Sequence, residues 1–254
     1  MFRKLGWLMA VAVLAPAVWA QTADEIIAKN IQARGGLDKL KSVQSIKSTG
    51  TMAMGPGMEA PGLLVQKRGN LARLEFTIQG LTMVQAYDGK NGWQIMPFTG
   101  KKDPELMSAD EVKEIEETAD IDGPLVDYKS KGHQVELLGK EKMEGTDVYK
   151  LKVTLKNGDV QTVYLDADSF LEIKEETKRT VRGSEQVVES SIGDYKEVNG
   201  IIFPFAEESG LKGSEEKEKL TITKIELNVP VDESIFKMPP PAPAAPVKPE
   251  APKN

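Results

Sequence analysis

Residues 119–134 of this 254-residue chain read ADIDGPLVDYKSKGHQ and bring Asp120, Asp122 and Asp127 close to His133, the single histidine of the sequence. Carboxylates beside an imidazole are the groups from which a divalent-cation site or an acid–base pair is built. The spacing argues against both. A calcium loop opening at Asp120 needs a ligand oxygen at its fifth position and a glutamate at its twelfth; those positions hold Pro124 and Lys131. With one histidine and no cysteine, the chain lacks the ligand set of a zinc site. No Gly-x-Ser-x-Gly elbow, His-Glu-x-x-His pair or phosphate-cradling glycine loop occurs. Any serine–histidine mechanism would have to use His133, which lies in a turn near Lys129 and Lys131 with no nucleophile marked beside it. These observations point away from an enzyme and imply no metal and no cofactor. The same stretch carries an apolar pair, Leu125 and Val126, and its other reading is a polar loop that covers something.

Both ends of the chain differ from its middle. Residues 1–20, MFRKLGWLMAVAVLAPAVWA, hold Arg3 and Lys4, then an apolar run, then Pro16, then Val18 and Ala20 at the positions that precede a cleavage. That is the layout of a cleaved secretory signal, and the apolar run is shorter than the roughly 20 residues that span a bilayer. No cysteine follows, so neither a lipid anchor nor a disulfide is expected, and the periplasm is the expected location. Residues 239–254, PPPAPAAPVKPEAPKN, are too rich in proline and too poor in apolar area to fold, and are expected to be a disordered tail. Residues 21–238 have the length of one large β domain or two small ones. Removal of 1–20 takes two basic residues and no acidic ones, so the net charge of −6 becomes −8. That sign argues against nucleic acid and against loose adhesion to anionic lipid. A monomer is expected.

The elements that would position these groups are mostly strands. Residues 22–34 have a capping residue, apolar positions at Ile26, Ile27 and Ile31, and a Gly35-Gly36 stop, which predicts a helix packed on a sheet by one face. Residues 108–118 have a capping-box spacing, Ser108 to Glu111, and predict a second, acidic helix. Strands are expected at 45–54, 62–68, 71–79, 82–87, 93–96, 135–138, 147–155, 160–166, 171–180, 185–195, 201–207 and 217–229, with Gly69-Asn70 as a two-residue hairpin loop. The alternation is clear: Leu74, Phe76 and Ile78 stand against Arg73, Glu75 and Thr77, and Tyr149, Leu151 and Val153 against Lys150, Lys152 and Thr154. One face is therefore apolar and the other wet. The fold class is mainly β with few helices (α+β), a curved antiparallel sheet covered by little else. Two outcomes follow from the pattern: a fully packed barrel core, or a concave apolar face left partly empty for a long apolar ligand.

Three segments resemble one family. GLLVQKRGNLARLEF (62–76), AYDGKNGWQIMPFTGK (86–101) and DESIFKMPPP (232–241) are similar, in order and spacing, to segments of the periplasmic outer-membrane lipoprotein-sorting and carrier superfamily, the LolA/LolB-like proteins. The resemblance covers most of 21–240. It implies a half-open barrel whose concave face takes acyl chains of lipoproteins or lipids, closed by a lid of helices and loops, with membrane donor and acceptor proteins as partners. It implies as ligand-binding residues Leu74, Phe76, Ile78, Trp93, Phe98, Tyr149, Leu151 and Val153, with Leu125 and Val126 in the lid. It also implies that Arg68 is the lid latch, with Asp120, Asp122 and Asp127 as its candidate partners, although Gly69 replaces the family's proline beside it. The superfamily includes envelope sensors and binding modules, so the alternative function is detection rather than transport.

Overall fold

The computed structural model describes residues 21–55, 57–181 and 183–240; the expected signal (1–20) and residues 241–254 of the expected tail lie outside them. The chain begins with α1 (Ala23–Ala33), whose capping box is complete: Thr22 Oγ accepts from the Glu25 amide at 3.2 Å and the Glu25 carboxylate accepts from the Thr22 amide at 3.0 Å. Gly35 and Gly36 have φ of +119° and +91°, a region open to glycine at little cost, and they turn the chain into a short helix, α2 (Leu37–Ser42). Sequence reading gave no α2, because six residues are too few to show a helical period.

The strands are β1 (Ser45–Ala53), β2 (Glu59–Lys67), β3 (Leu71–Ile78), β4 (Leu81–Asp88), β5 (Gly92–Met96) and β6 (Lys101–Leu106), then α3 (Ala109–Ala119), then β7 (Gln134–Met143), β8 (Thr146–Thr154), β9 (Val160–Asp166), β10 (Glu172–Val181), β11 (Ser184–Gly193), β12 (Lys196–Val198), β13 (Ile201–Phe203), β14 (Ala206–Leu211) and β15 (Glu218–Leu227). Thirteen of them form one antiparallel sheet in the order β6-β5-β4-β3-β2-β1-β15-β14-β11-β10-β9-β8-β7, and β12 and β13 pair separately. The two edges, β6 and β7, do not meet, so this is a curved half-open barrel, mainly β with few helices. Both edges are blunted against further pairing: β6 carries Lys101, Lys102 and Pro104, and β7 is bulged between Leu137 and Gly139. The expected strand at 201–207 divides in two because Pro204, between β13 and β14, has no N–H for a ladder. Among the described residues no helix is long and apolar enough to cross a membrane.

The core lies on the inner side of the sheet. Ile26 and Ile27 of α1 pack on Leu151, Val153, Val163 and Leu165 of β8 and β9. Leu40 of α2 and Val43 pack on Ile46 and Ile225 of β1 and β15. Ile115 and Ala119 of α3 pack on Ala72 and Tyr87 of β3 and β4. The outer side of β2–β5 has its own cover. The C-terminal segment makes a 3-10 turn at Glu233–Phe236 and buries Phe236 completely. Its carbonyl accepts from Trp93 Nε1 at 2.7 Å.

Candidate functional site

Direct cross-strand partners share a face, so the registers define the inner wall. Ala72 pairs with Tyr87 under α3, which makes Leu74, Phe76 and Ile78 inward as well. Leu64 lies opposite Leu74, and Met83 opposite Phe76. Gly62 faces Phe76; a Cβ on Gly62 would lie 2.5 Å from the Phe76 ring, so this glycine gives the ring its place flat on the wall. Leu64, Leu74, Ile78 and Met83 are only half-buried, and they leave an apolar surface beside α3 that the helices do not fully cover.

The expected ligand residues do not all belong to this surface. Leu74 and Ile78 do; Phe76 faces the same way but is 6% exposed. Leu151 and Val153 also face inward, but both are 0% exposed beneath α1 and are core. Tyr149 packs at the margin of the same cluster, its ring stacked on Phe170 at 5.7 Å. Trp93 points the other way: it pairs with Ala86, packs with Val84 and Ile95, and is 1% exposed under the C-terminal segment, with the Arg73 guanidinium 5.5 Å from its ring. Phe98 lies in the 3-10 turn Pro97–Thr99 between β5 and β6 and is exposed. Sequence reading missed Leu64 because it assumed a two-residue hairpin at Gly69-Asn70; Met83, on β4, was not assigned a face. Lys67 pairs with Leu71, so the loop has three residues, Arg68 to Asn70. The extra residue shifts the register by one, which exchanges the two faces of β2.

That loop also frees Arg68 from the ladder. Its guanidinium grips Asp122 with two parallel hydrogen bonds, Nη1 to Oδ2 and Nη2 to Oδ1, both 3.0 Å, and Nη2 also donates to the Leu40 carbonyl at 2.7 Å. Lys41 donates to Asp122 Oδ2 at 2.6 Å and pairs with Asp127 at 2.7 Å. Asp120 goes elsewhere, to Lys131. One carboxylate with a side chain only 6% exposed thus ties the end of β2 to α2 and to the loop 120–133. Burial by itself would raise its pKa; the hydrogen bonds from Arg68 and Lys41 outweigh that and hold it down at about 2. Inside this tie, Leu125 joins the α1–β8 core and Val126, fully buried, joins the α2–β1 core. Neighbouring side chains of the loop therefore enter two different clusters, and the loop wedges between them.

The rest of the loop is structural. His133 Nδ1 accepts from the Lys156 amide at 3.0 Å, and burial followed by the Lys131 charge lowers its pKa, so the ring is neutral at physiological pH. Among the described residues no group of three or more histidine, aspartate or glutamate side chains is arranged to hold a metal ion.

Helix α3 bridges the open side of the barrel. Its apolar face lies on β3 and β4, and its acidic face reaches β9 and β10: Arg179 pairs with Glu114 and Glu117, each at 3.0 Å, and Lys113 lies 3.7 Å from Asp159. Asn157 and Gln161 also donate to Glu117. Burial pushes the Glu117 carboxyl up to about 7, against the pull of Arg179. The folded chain therefore holds an extra proton between the unfolded value near 4.5 and about 7. The stability this contributes is fully present at low pH and is lost as pH rises through 7. Amide exchange across 109–119, corrected for its intrinsic rate, is expected to be faster at pH 8 than at pH 5.5, and Glu117→Gln should flatten that difference; the same difference in the variant would refute the assignment.

No family model matches this sequence, and no curated protein matches it. Solved structures do. A DUF1329 family protein from Desulfovibrio piger is 13% identical with a TM-score of 0.58, covering 84% of this chain and 96% of its own. A LolA superfamily protein from Nitrosomonas europaea is 15% identical with a TM-score of 0.57, over 86% and 98% of the two chains. A candidate outer membrane lipoprotein-sorting protein domain from Vibrio parahaemolyticus is 14% identical with a TM-score of 0.54, over 84% and 94%. At these identities the likeness is one of fold, and the half-open barrel of this chain is the fold of the LolA-like proteins.

Proposed function

We propose that this chain is a non-catalytic carrier of the bacterial envelope, working as a monomer in the periplasm, that shields the acyl chains of a lipid or lipoprotein on the inner wall of its half-barrel. The observation that carries this reading is the half-covered apolar surface of Leu64, Leu74, Ile78 and Met83 beside a helix and a loop that ion pairs help to tie in place. Each acyl CH₂ that leaves water on such a surface gains roughly 0.8 kcal/mol, so a partly engaged chain already binds. Transfer needs no covalent step. The fold likeness to LolA-like and lipoprotein-sorting structures supports the same reading. Release of the Arg68–Asp122 tie would free the loop 120–133, and with it Leu125 and Val126, so that a chain could enter or leave.

Native mass spectrometry of the protein purified from a membrane-containing lysate is expected to show bound lipid, removable by added apolar vesicles. A protein that emerges lipid-free, takes up no fluorescent fatty acid and instead holds one protein partner tightly would replace the carrier reading with that of an envelope sensor.

A further inference from the structure

Between the apolar wall of β2–β4 and the core beneath α1, the inner face carries a polar stripe. Across β9, β10, β11 and β14 the inward positions carry Gln161, Thr177, Glu175, Ser190 and Glu207, related by the pairs Gln161–Thr177, Glu175–Ser190 and Ile192–Glu207. Val163, the partner of Glu175, packs under α1 and fixes which side is inward. Glu172 continues this stripe toward the end of α1, opposite Leu165. The Thr177 hydroxyl donates to Glu175.

The cations near the stripe are mostly engaged: Arg179, also inward on β10, keeps only its Nε without a hydrogen-bond partner, 3.8 Å from Asp159. Arg179 holds Glu114 and Glu117, and Arg34 Nη1 donates to the Asp122 carbonyl at 3.1 Å. Acceptors are left over in greater number. Gln161 is 6% exposed and its Nε2 goes to Glu117, while no protein donor reaches its Oε1. Glu172 Oε1 is enclosed and has no protein donor either. Burial raises the pKa of Glu172 and of Glu175, and the Glu175 and Glu207 charges raise Glu172 further against the pull of the Arg34 charge. A place that already resists its own negative charge resists another anion, and its enclosed oxygens are satisfied by N–H or O–H groups.

We infer that this stripe receives the head of an amphiphile that bears hydrogen-bond donors and no negative charge, while the acyl chain of the same molecule lies on the apolar side of β2–β4. The inference rests on the proposed function and adds to it the class of ligand. Hydroxyl-bearing and ammonium heads share the required chemistry; fatty acids and phosphatidyl lipids do not.

The test compares lipids of one chain length on the full protein at pH 8 by calorimetric titration: 1-monolauroylglycerol, dodecylamine and laurate. The hydroxyl or the ammonium lipid is expected to bind at least about tenfold more tightly than laurate, and which of the two does so identifies the donor. Glu175→Gln with Glu207→Gln removes the charge and keeps the shape, and should reduce that preference to about threefold or less. If the double variant melts early, Glu207→Gln alone is expected to move the ratio the same way. Laurate binding as tightly as both others, or a ratio unmoved by either variant, overturns the inference and leaves the carrier reading standing. Failure of all three lipids to bind overturns both.

Discussion

Replacing Asp122 by alanine is expected to cost about 3 kcal/mol of folding stability, the low end for a broken buried ion pair, and to open the loop 120–133. The low end applies because Arg68 and Lys41 keep 27% and 37% of their side-chain surface in water and recover part of their hydration. The effect on the loop is larger than the energy suggests, because one carboxylate joins β2, α2 and the loop itself. Arg68→Lys should cost less, about 1 kcal/mol, since an ammonium keeps the charge and loses the two-pronged geometry. Denaturant unfolding gives the energies, and amide exchange over 120–133 gives the opening. The pH dependence separates this tie from simple packing. The folded carboxyl titrates at about 2 and the unfolded one near 3.8. Its contribution is therefore complete above about pH 4 and is lost as pH falls through 2. The stability difference between the native protein and Asp122→Asn should shrink along that descent. A gap that stays constant from pH 6 to pH 3 would mean that the pair does not carry the energy assigned to it.

How this tie could be seen beforehand shows what a sequence holds. Arg68 was legible only through a resemblance, and the choice among Asp120, Asp122 and Asp127 was not legible at all. The choice depends on where α2 lies, and α2 leaves no periodic signal in six residues. The lone histidine and the failed calcium spacing were sufficient to turn attention from the aspartates to Leu125 and Val126, and both are buried. Alternation located the inward residues of β3 and β8 correctly, because a period of two survives whatever covers the sheet. It could not tell which inward residues meet a helix and which meet open space. Leu151 and Leu74 have the same pattern around them, and only the position of α1 over β8 makes the first core and the second wall. Trp93 misled for a related reason. A large aromatic in an inferred carrier suggests the binding face, but here the C-terminal segment returns to cover the outer face and needs an anchor there. The polar stripe of β10 was in plain view as Glu172, Glu175 and Thr177. Its meaning was hidden because charged residues on alternate positions normally mark the wet side, and here one set of them points inward.

The difference between wall and core leads to the second large effect. Leu151→Asp and Leu74→Asp are the same change at inward positions of two strands, and they are expected to fail differently. Leu151 is 0% exposed between α1, Val163 and Val153. A carboxylate there has neither partner nor water, and the cost of burying it, several kcal/mol on top of the lost apolar contacts, is of the order of the whole stability of a domain. Leu151→Asp should therefore not fold, which a lost near-ultraviolet signal and immediate proteolysis would report. Leu74 is half-buried on the open part of the wall opposite Leu64. An aspartate there keeps its hydration and the sheet survives, with a loss of about 1–2 kcal/mol. What it removes is the apolar strip. A fatty acid probe should lose about 2–3 kcal/mol of contact there, or roughly thirty- to a hundredfold in affinity. Leu64→Asp, on the neighbouring strand, should do the same. If Leu74→Asp folds and binds the probe as the native protein does, acyl chains do not lie on β2–β4. If it unfolds as Leu151→Asp does, the wall is packed core, and the half-barrel encloses less space than the half-buried leucines indicate.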